Sequence, residues 1–136
     1  MSKKGFTLIE LMLVVIIIGV LVSMVAPRLV GRSEEARISV AIADVNANIS
    51  VALDLYELDN GRYPGTEQGL DALRIEPGGA ASWKGPYLKR KPLDPWGNPY
   101  VYASPGSHNT DYDLYSCGPD GAGGSGDDVT NWDEKK

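Results

Sequence analysis

The stretch from Leu11 to Ala26 carries no charge, and Ser23 is its only polar side chain. Extended back to Phe6, it is about 20 residues long, the length a helix needs to cross a hydrocarbon core of roughly 30 Å. A short basic leader, Met1-Ser2-Lys3-Lys4, precedes it, and one carboxylate, Glu10, lies just inside its start. A secretory signal also has a basic start and an apolar middle, but it requires a small-residue cleavage site after the apolar part. Here Val25-Ala26-Pro27-Arg28 follows, with a proline where cleavage would be disfavoured. The small residue placed for cutting is Gly5, ahead of the apolar run. Cutting there leaves Phe6 as a new amino terminus and keeps the helix on the mature chain.

Gly5, Phe6 and Glu10, followed by a long apolar helix, resemble the class III signal of type IV pilins and pseudopilins. The resemblance implies a prepilin peptidase that cleaves after Gly5 and N-methylates Phe6. It also bears on Glu10. A carboxylate at bilayer depth costs on the order of 2.5–3.5 kcal/mol, so it normally marks a pairing site. One reading is a hydrated side chain at the interface. The resemblance favours the other, in which Glu10 pairs with the Phe6 amine of a neighbouring subunit during assembly.

The chain has 136 residues, enough for one small domain beyond the apolar segment. Its formal charge is −5, and loss of Lys3 and Lys4 with the leader makes it more negative. No basic patch argues for nucleic acid. The single cysteine, Cys117, excludes an internal disulfide. Cations lie on both sides of the apolar segment, Lys3 and Lys4 before it and Arg28, Arg32 and Arg37 after it, so charge does not decide orientation.

Pro27 interrupts the first helix pattern, and a kink or loosened stretch near Ser23–Pro27 is expected, not a full stop. Beyond it, Ile38, Ile42, Val45, Ile49, Leu53 and Tyr56 recur at spacings of four and three. That is one apolar stripe of period 3.6. Ser39, Asp44, Asn46, Asn48, Asp54 and Glu57 alternate with it, and Asn60-Gly61 supplies a helix end. The expectation is one helix over about residues 6–59, bent at Pro27. Thr66 is placed to cap a short helix at about 67–73. Tyr100–Ala103 and Tyr112–Ser116 read as two strands, with a short third near Val129–Trp132. A small antiparallel sheet laid on the helix stripe completes one α+β core.

Gly61-Arg62-Tyr63-Pro64, Thr66-Glu67-Gln68-Gly69-Leu70-Asp71-Ala72-Leu73, Gly85-Pro86-Tyr87-Leu88 and Asp94-Pro95-Trp96-Gly97-Asn98-Pro99-Tyr100 resemble the signature of the major pseudopilins of type II secretion systems. The resemblance implies a leader over 1–5, a transmembrane and polymerisation helix over 6–27 and a periplasmic globular domain over 28–136. It implies a homopolymer, a filament that helps export folded proteins across the outer membrane. It further implies minor pseudopilins and an inner-membrane assembly platform as partners, and single-pass residence in a bacterial inner membrane. The nearest alternative is a type IV pilin of a surface fibre. Many such pilins close a C-terminal loop with a cysteine pair, which this chain lacks.

One segment has site chemistry. Ser116-Cys117-Gly118-Pro119-Asp120-Gly121-Ala122-Gly123-Gly124-Ser125-Gly126-Asp127-Asp128 is glycine-rich, with carboxylates at both ends. Such a loop cannot hold one shape by its own side chains, and ordering it costs backbone entropy. Packed together, the carboxylates would repel, and a hard cation would relieve this; Ca²⁺ takes six to eight oxygens, backbone carbonyls included. The spacing is not that of an EF-hand, because Ser116 and Gly118 stand where acidic or amide ligands belong. From the residues alone the loop is either a cation site or a solvated acidic loop. The pseudopilin resemblance implies calcium, held by the side chains of Asp120, Asp127 and Asp128 and by the carbonyls of Cys117 and Ser125. No nucleophile–base pair, zinc cluster or phosphate loop accompanies it, so an enzyme is not expected. His108 reads as solvated in its turn, and Trp83, Trp96 and Trp132 as core or subunit-contact aromatics.

Overall fold

The computed structural model describes residues 3–133, with side chains for all of them except 26–30. The first residues of the leader, Met1 and Ser2, lie outside the described part. The chain divides into two compact units, Met1–Ala36 and Arg37–Lys136. The element order is α1 (Leu8–Ala43), a π-helical turn (Asp44–Asn48), α2 (Ile49–Asn60), a 3₁₀ turn (Leu70–Leu73), β1 (Val101–Ala103), β2 (Asp113–Ser116) and β3 (Val129–Thr130).

In the first unit the helix begins at Leu8, two residues later than expected, because Thr7 caps it. None of the residues of the apolar span Leu8–Val25 is buried. Phe6, Leu8 and Ile9 are the most exposed apolar side chains at its start. The helical assignment runs through Pro27 to Ala43 without a stop. The expected loosening falls partly on side chains outside those described. Within the described part, the Ser23 hydroxyl donates to the Val20 carbonyl at 2.7 Å.

In the second unit the predicted stripe becomes the core. Val45, Ile49, Leu53 and Tyr56 are fully buried, Ala41 and Ala52 join them, and Ile38 and Ile42 pack at the margin. Leu73, Tyr100, Tyr102, Leu114 and Val129 cover the stripe from the other side. Burying each large apolar side chain stabilises the fold by about 1.5–3 kcal/mol. The helix expected over about residues 6–59, bent at Pro27, also departs from α geometry at Asp44–Asn48, where five residues adopt π geometry. Asp44 sits at that turn with both carboxylate oxygens engaged. Asn48 Nδ2 donates to one at 2.7 Å, and the Tyr100 hydroxyl donates to the other at 2.8 Å. Gly61 ends α2 at φ 78°, a left-handed conformation that a side chain would strain, and its N–H donates to the Glu57 carbonyl.

Polar positions beside the stripe are not all solvated. The Tyr63 hydroxyl donates to Asp54 and the Tyr87 hydroxyl to Asp59, at 3.0 and 2.7 Å. With Tyr100 on Asp44, three aspartates of the helical segment each receive a tyrosine from the segment that folds over it. Burial first, and then the hydrogen bond to Asp44 and its charge, raise the Tyr100 hydroxyl well above its ordinary pKa, so it stays a donor. The Tyr102 hydroxyl donates to the Pro64 carbonyl at 2.7 Å.

Thr66 is not a helix cap. Its hydroxyl donates to the Ser104 carbonyl at 3.1 Å and accepts the Ser104 N–H at 3.0 Å. A backbone unit that both gives and takes a bond outcompetes one local cap. The short helix shrinks to 3₁₀ geometry behind Gly69, and Gln68 accepts the Gly65 N–H in its place. The three strands form one antiparallel sheet in the order β1-β2-β3. Val101 faces Tyr115, and Ser116 faces Val129. Asn131 extends β3 past its last ladder residue. Its N–H donates to the Leu114 carbonyl, while its side-chain oxygen accepts the Leu114 N–H and its Nδ2 donates to the Tyr112 carbonyl.

Candidate functional site

Two places have the composition of a site, and each belongs to a different unit of the chain. The first is the helix start. Thr7 and Glu10 form a capping box. The Thr7 N–H donates to Glu10 Oε2 at 2.8 Å, the Thr7 hydroxyl donates to the same oxygen at 3.1 Å, and the Glu10 N–H donates to Thr7 Oγ1 at 3.3 Å. Glu10 and Thr7 therefore satisfy each other's N–H groups at the helix start within one chain. The pattern Thr-x-x-Glu ahead of an apolar run was the signal available for it. Gly5 has open space around its Cα, and Phe6 is 83% exposed.

The second is the connection between β2 and β3. The Ser116–Val129 register pair closes its neck, so residues 117–128 form a loop with fixed ends. The sequence placed Asp120, Asp127 and Asp128 together, and the fold does bring them together: one oxygen from each carboxylate lies within 4.8 Å of the others. Two oxygens on opposite sides of one calcium are about 5 Å apart, so the spacing fits a single cation. The loop backbone already serves these groups. The Asp120 N–H donates to Asp127 Oδ2 at 3.2 Å, the Ala122 N–H to Asp120 Oδ1 at 2.9 Å and the Gly124 N–H to Asp128 Oδ2 at 2.7 Å.

Ser125 enters this cluster through its hydroxyl, whereas the sequence reading gave it only a carbonyl role. Its Oγ lies within hydrogen-bond range of Asp127 Oδ1, of Asp128 Oδ1 at 3.2 Å and of the Ala122 carbonyl at 2.9 Å. One hydroxyl proton serves one acceptor at a time, so three acceptors converge on it. Its carbonyl accepts the Asp128 N–H at 3.4 Å. The Ser125 hydroxyl is the leading influence holding the Asp127 carboxyl below the usual carboxylate range. Cys117 is half-buried at the head of the loop. Burial, then the charges of Asp128, Asp94, Asp120 and Asp127, raise its thiol above the ordinary value. A protonated thiol is a poor ligand for soft metals, and the convergent oxygens suit a hard cation. On donor chemistry and spacing, the residues fit calcium.

Sequence reasoning missed the residues that hold this loop in place. Asp94 is buried, 4% exposed, and accepts the Trp96 and Asn98 N–H groups on one oxygen. Its other oxygen accepts the Ser116 hydroxyl at 2.7 Å. Gly118 has φ 68°, and a Cβ there would run into the Asp127 carbonyl oxygen. Gly118→Ala is therefore expected to cost about 2 kcal/mol, from a left-handed side chain and the forced shift of Asp127. Urea unfolding reads this as a lower midpoint with an unchanged slope.

The His108 side chain is 53% exposed, in keeping with the solvated reading, and it also has partners. It stacks on Trp132 with ring centroids 4.0 Å apart, and its Nδ1 lies 2.9 Å from Asp113 Oδ2. The carboxylate only accepts, so Nδ1 carries the proton. The Ser107, His108 and Asn109 N–H groups also point at Asp113. Burial alone would raise the Asp113 pKa; the bonds from Asn109, His108 and Ser107 outweigh it and hold it at about 2, below the usual 3.8. The folded value is depressed, so this contribution is complete above pH 4 and is lost as pH falls through about 2. Asp113→Asn is expected to lose about 2 kcal/mol at neutral pH and to flatten the acid-unfolding profile between pH 4 and 2. Circular dichroism against pH for both proteins checks it.

A family described as type II secretion system protein G matches residues 28–132, and the prokaryotic N-terminal methylation motif matches residues 1–26. The chain belongs to the protein G family of the type II secretion system. Among family members, the core protein G of Pseudomonas aeruginosa is 49% identical, covering 97% of this chain and 96% of that one. That of Escherichia coli K12 is 50% identical, covering 96% and 92%. The crystal structure of the major pseudopilin from the type 2 secretion system of enterohaemorrhagic Escherichia coli matches with TM-score 0.68 at 39% identity, over 76% of this chain and 89% of that chain. The fold is thus that of a type IV pilin-like pseudopilin, and the role is that of a major pseudopilin, a structural subunit with a membrane-anchoring N-terminal helix.

Proposed function

We propose that this chain polymerises through its N-terminal helix into a periplasmic filament of the type II secretion system. The observation that carries the proposal is the apolar span Leu8–Val25, none of whose residues is buried within the chain. In a membrane such a surface meets lipid, and in a filament it meets copies of itself. Cleavage after Gly5 and methylation of Phe6 fit the methylation motif and leave that surface on the mature protein. Glu10 then sets subunit register by meeting the Phe6 amine of a neighbour. The globular part faces the periplasm, and the other partners are minor pseudopilins, the inner-membrane assembly platform and the prepilin peptidase. A catalytic role is not assigned.

Calcium is the ion proposed for the β2–β3 loop, with the carboxylates of Asp120, Asp127 and Asp128 and the carbonyls of Cys117 and Ser125 as ligands. When bound, the ion neutralises the convergent carboxylates and ties β3 to the rest of the sheet, the role a disulfide has in a cysteine-bearing pilin. The test is expression with the secretion assembly machinery, imaging of filaments with and without calcium, and mass spectrometry of the mature terminus. Short filaments of chains beginning at methylated Phe6 are expected. Long surface fibres made without that machinery would favour the type IV pilin alternative. A mature terminus elsewhere would overturn the assembly reading.

A further inference from the structure

The β2–β3 loop is tied at its neck to a buried turn that no ligand role explains. Ser116 is completely buried, and its hydroxyl has two partners. It donates to Asp94 Oδ2 at 2.7 Å and accepts the Gly118 N–H at 3.1 Å. Asp94 is itself fixed, because its other oxygen accepts the Trp96 and Asn98 N–H groups at 3.1 and 2.8 Å. Gly118 then stands against the backbone of Asp127, too close for any Cβ. The Asn98 side chain also approaches the loop, its Nδ2 lying 3.5 Å from where a Cβ on Gly121 would stand.

We infer that Ser116, oriented by Asp94, is a positioning residue for cation binding: it sets Gly118 so that the two ends of the loop meet with their carboxylates already converged. The inference rests on the calcium reading given above. The physical reason is preorganisation. A glycine-rich loop has many backbone states, and a ligand set that must first be gathered binds more weakly by the fraction of molecules in the competent state. A buried carboxylate is a strong acceptor that cannot rotate out of its turn, so the Ser116 hydroxyl has one orientation and its lone pair faces Gly118. Neither side chain offers the cation an atom in this arrangement. Their effect on affinity passes through the backbone of Gly118 and Asp127.

The experiment is calorimetric Ca²⁺ titration of the full-length chain in detergent, with Ser116→Ala, Asp94→Asn and Tyr102→Phe. Asp94→Asn keeps the volume and the acceptor for Trp96 and Asn98 but removes the oxygen that takes the Ser116 proton, so it remains informative if Ser116→Ala does not fold. Tyr102→Phe removes a buried hydrogen bond to Pro64 and serves as a destabilised control. Hydrogen exchange of the Gly118 and Asp120 amides is followed in chelator. The expected result is a tenfold or larger rise in Kd for Ser116→Ala and Asp94→Asn, faster exchange at both amides without metal, and wild-type affinity for Tyr102→Phe. Wild-type affinity in folded Ser116→Ala or Asp94→Asn would overturn the positioning role and leave the calcium reading intact. Absence of Ca²⁺ binding by the unmodified chain would overturn the calcium reading, and this inference with it. An equal loss of affinity in Tyr102→Phe would reduce the effect to general destabilisation and overturn the specific role.

Discussion

Chelation of calcium from the metal-loaded chain is expected to lower the melting temperature of the globular unit by about 10 °C or more. A ligand that binds only the folded state stabilises it by about 2.7 kcal/mol at a hundredfold excess over its Kd. For a unit of roughly 100 residues, each kcal/mol is worth about 4–8 °C. The destabilisation is local in origin. With the charge of the ion removed, Asp120, Asp127 and Asp128 repel across less than 5 Å, and loop N–H groups and the Ser125 hydroxyl offset this in part. Hydrogen exchange should therefore rise first over residues 117–128 and then at β3, while Leu53 and Tyr56 on the helix stay protected. Asp127→Ala should reproduce the shift and abolish any further response to chelator. A melting curve that ignores chelator, on protein shown beforehand to contain the metal, would remove calcium from the account.

The helix stripe was legible in the sequence because its period is a property of one segment alone. Val45, Ile49, Leu53 and Tyr56 are buried where the 3.6-residue repeat put them. The three strands were legible for a similar reason, and alternation together with the flanking turn residues placed each within two positions. The π turn at Asp44–Asn48 was not legible, because Asp44 receives its partner from Tyr100, far along the chain. Thr66 failed the same way. Its neighbours advertise a cap, but Ser104 offers the hydroxyl two bonds where a helix start offers one.

The loop divides along the same line. Three carboxylates around glycines can be counted in sequence, and their convergence follows once the Ser116–Val129 pair closes the neck. The supports cannot be counted. Asp94 looks like a turn aspartate, Ser116 like any strand serine and Asn131 like a surface amide, and each becomes informative only when its distant partner is known. His108 is exposed, as its turn position suggested, but its structural role was not legible. Its partners, Asp113 and Trp132, make it a structural group.

Glu10→Ala is expected to leave cleavage after Gly5 and methylation of Phe6 intact while reducing filament yield a hundredfold or more. The side chain has one use in the structure and one in the proposed assembly, and the two are separable. Within one chain it closes the capping box with Thr7, an arrangement worth about 1 kcal/mol at a helix start. Between chains, in the proposed pairing, its charge would meet an amine at membrane depth, where an unpaired carboxylate costs roughly 2.5–3.5 kcal/mol. Loss of that pairing at every subunit contact corresponds to about a hundredfold in each association constant. Glu10→Gln separates the two uses, because an amide oxygen still accepts the Thr7 N–H but carries no charge. Thr7→Val removes the hydroxyl side of the box and leaves the charge. If pairing governs assembly, Gln fails nearly as badly as Ala, and Thr7→Val assembles with only a modest loss. If capping governs, the order reverses, with Gln close to wild type and Thr7→Val impaired. Filament yield by electron microscopy, scored beside the processed fraction by mass spectrometry, decides between them. Normal filaments from Glu10→Ala would exclude both.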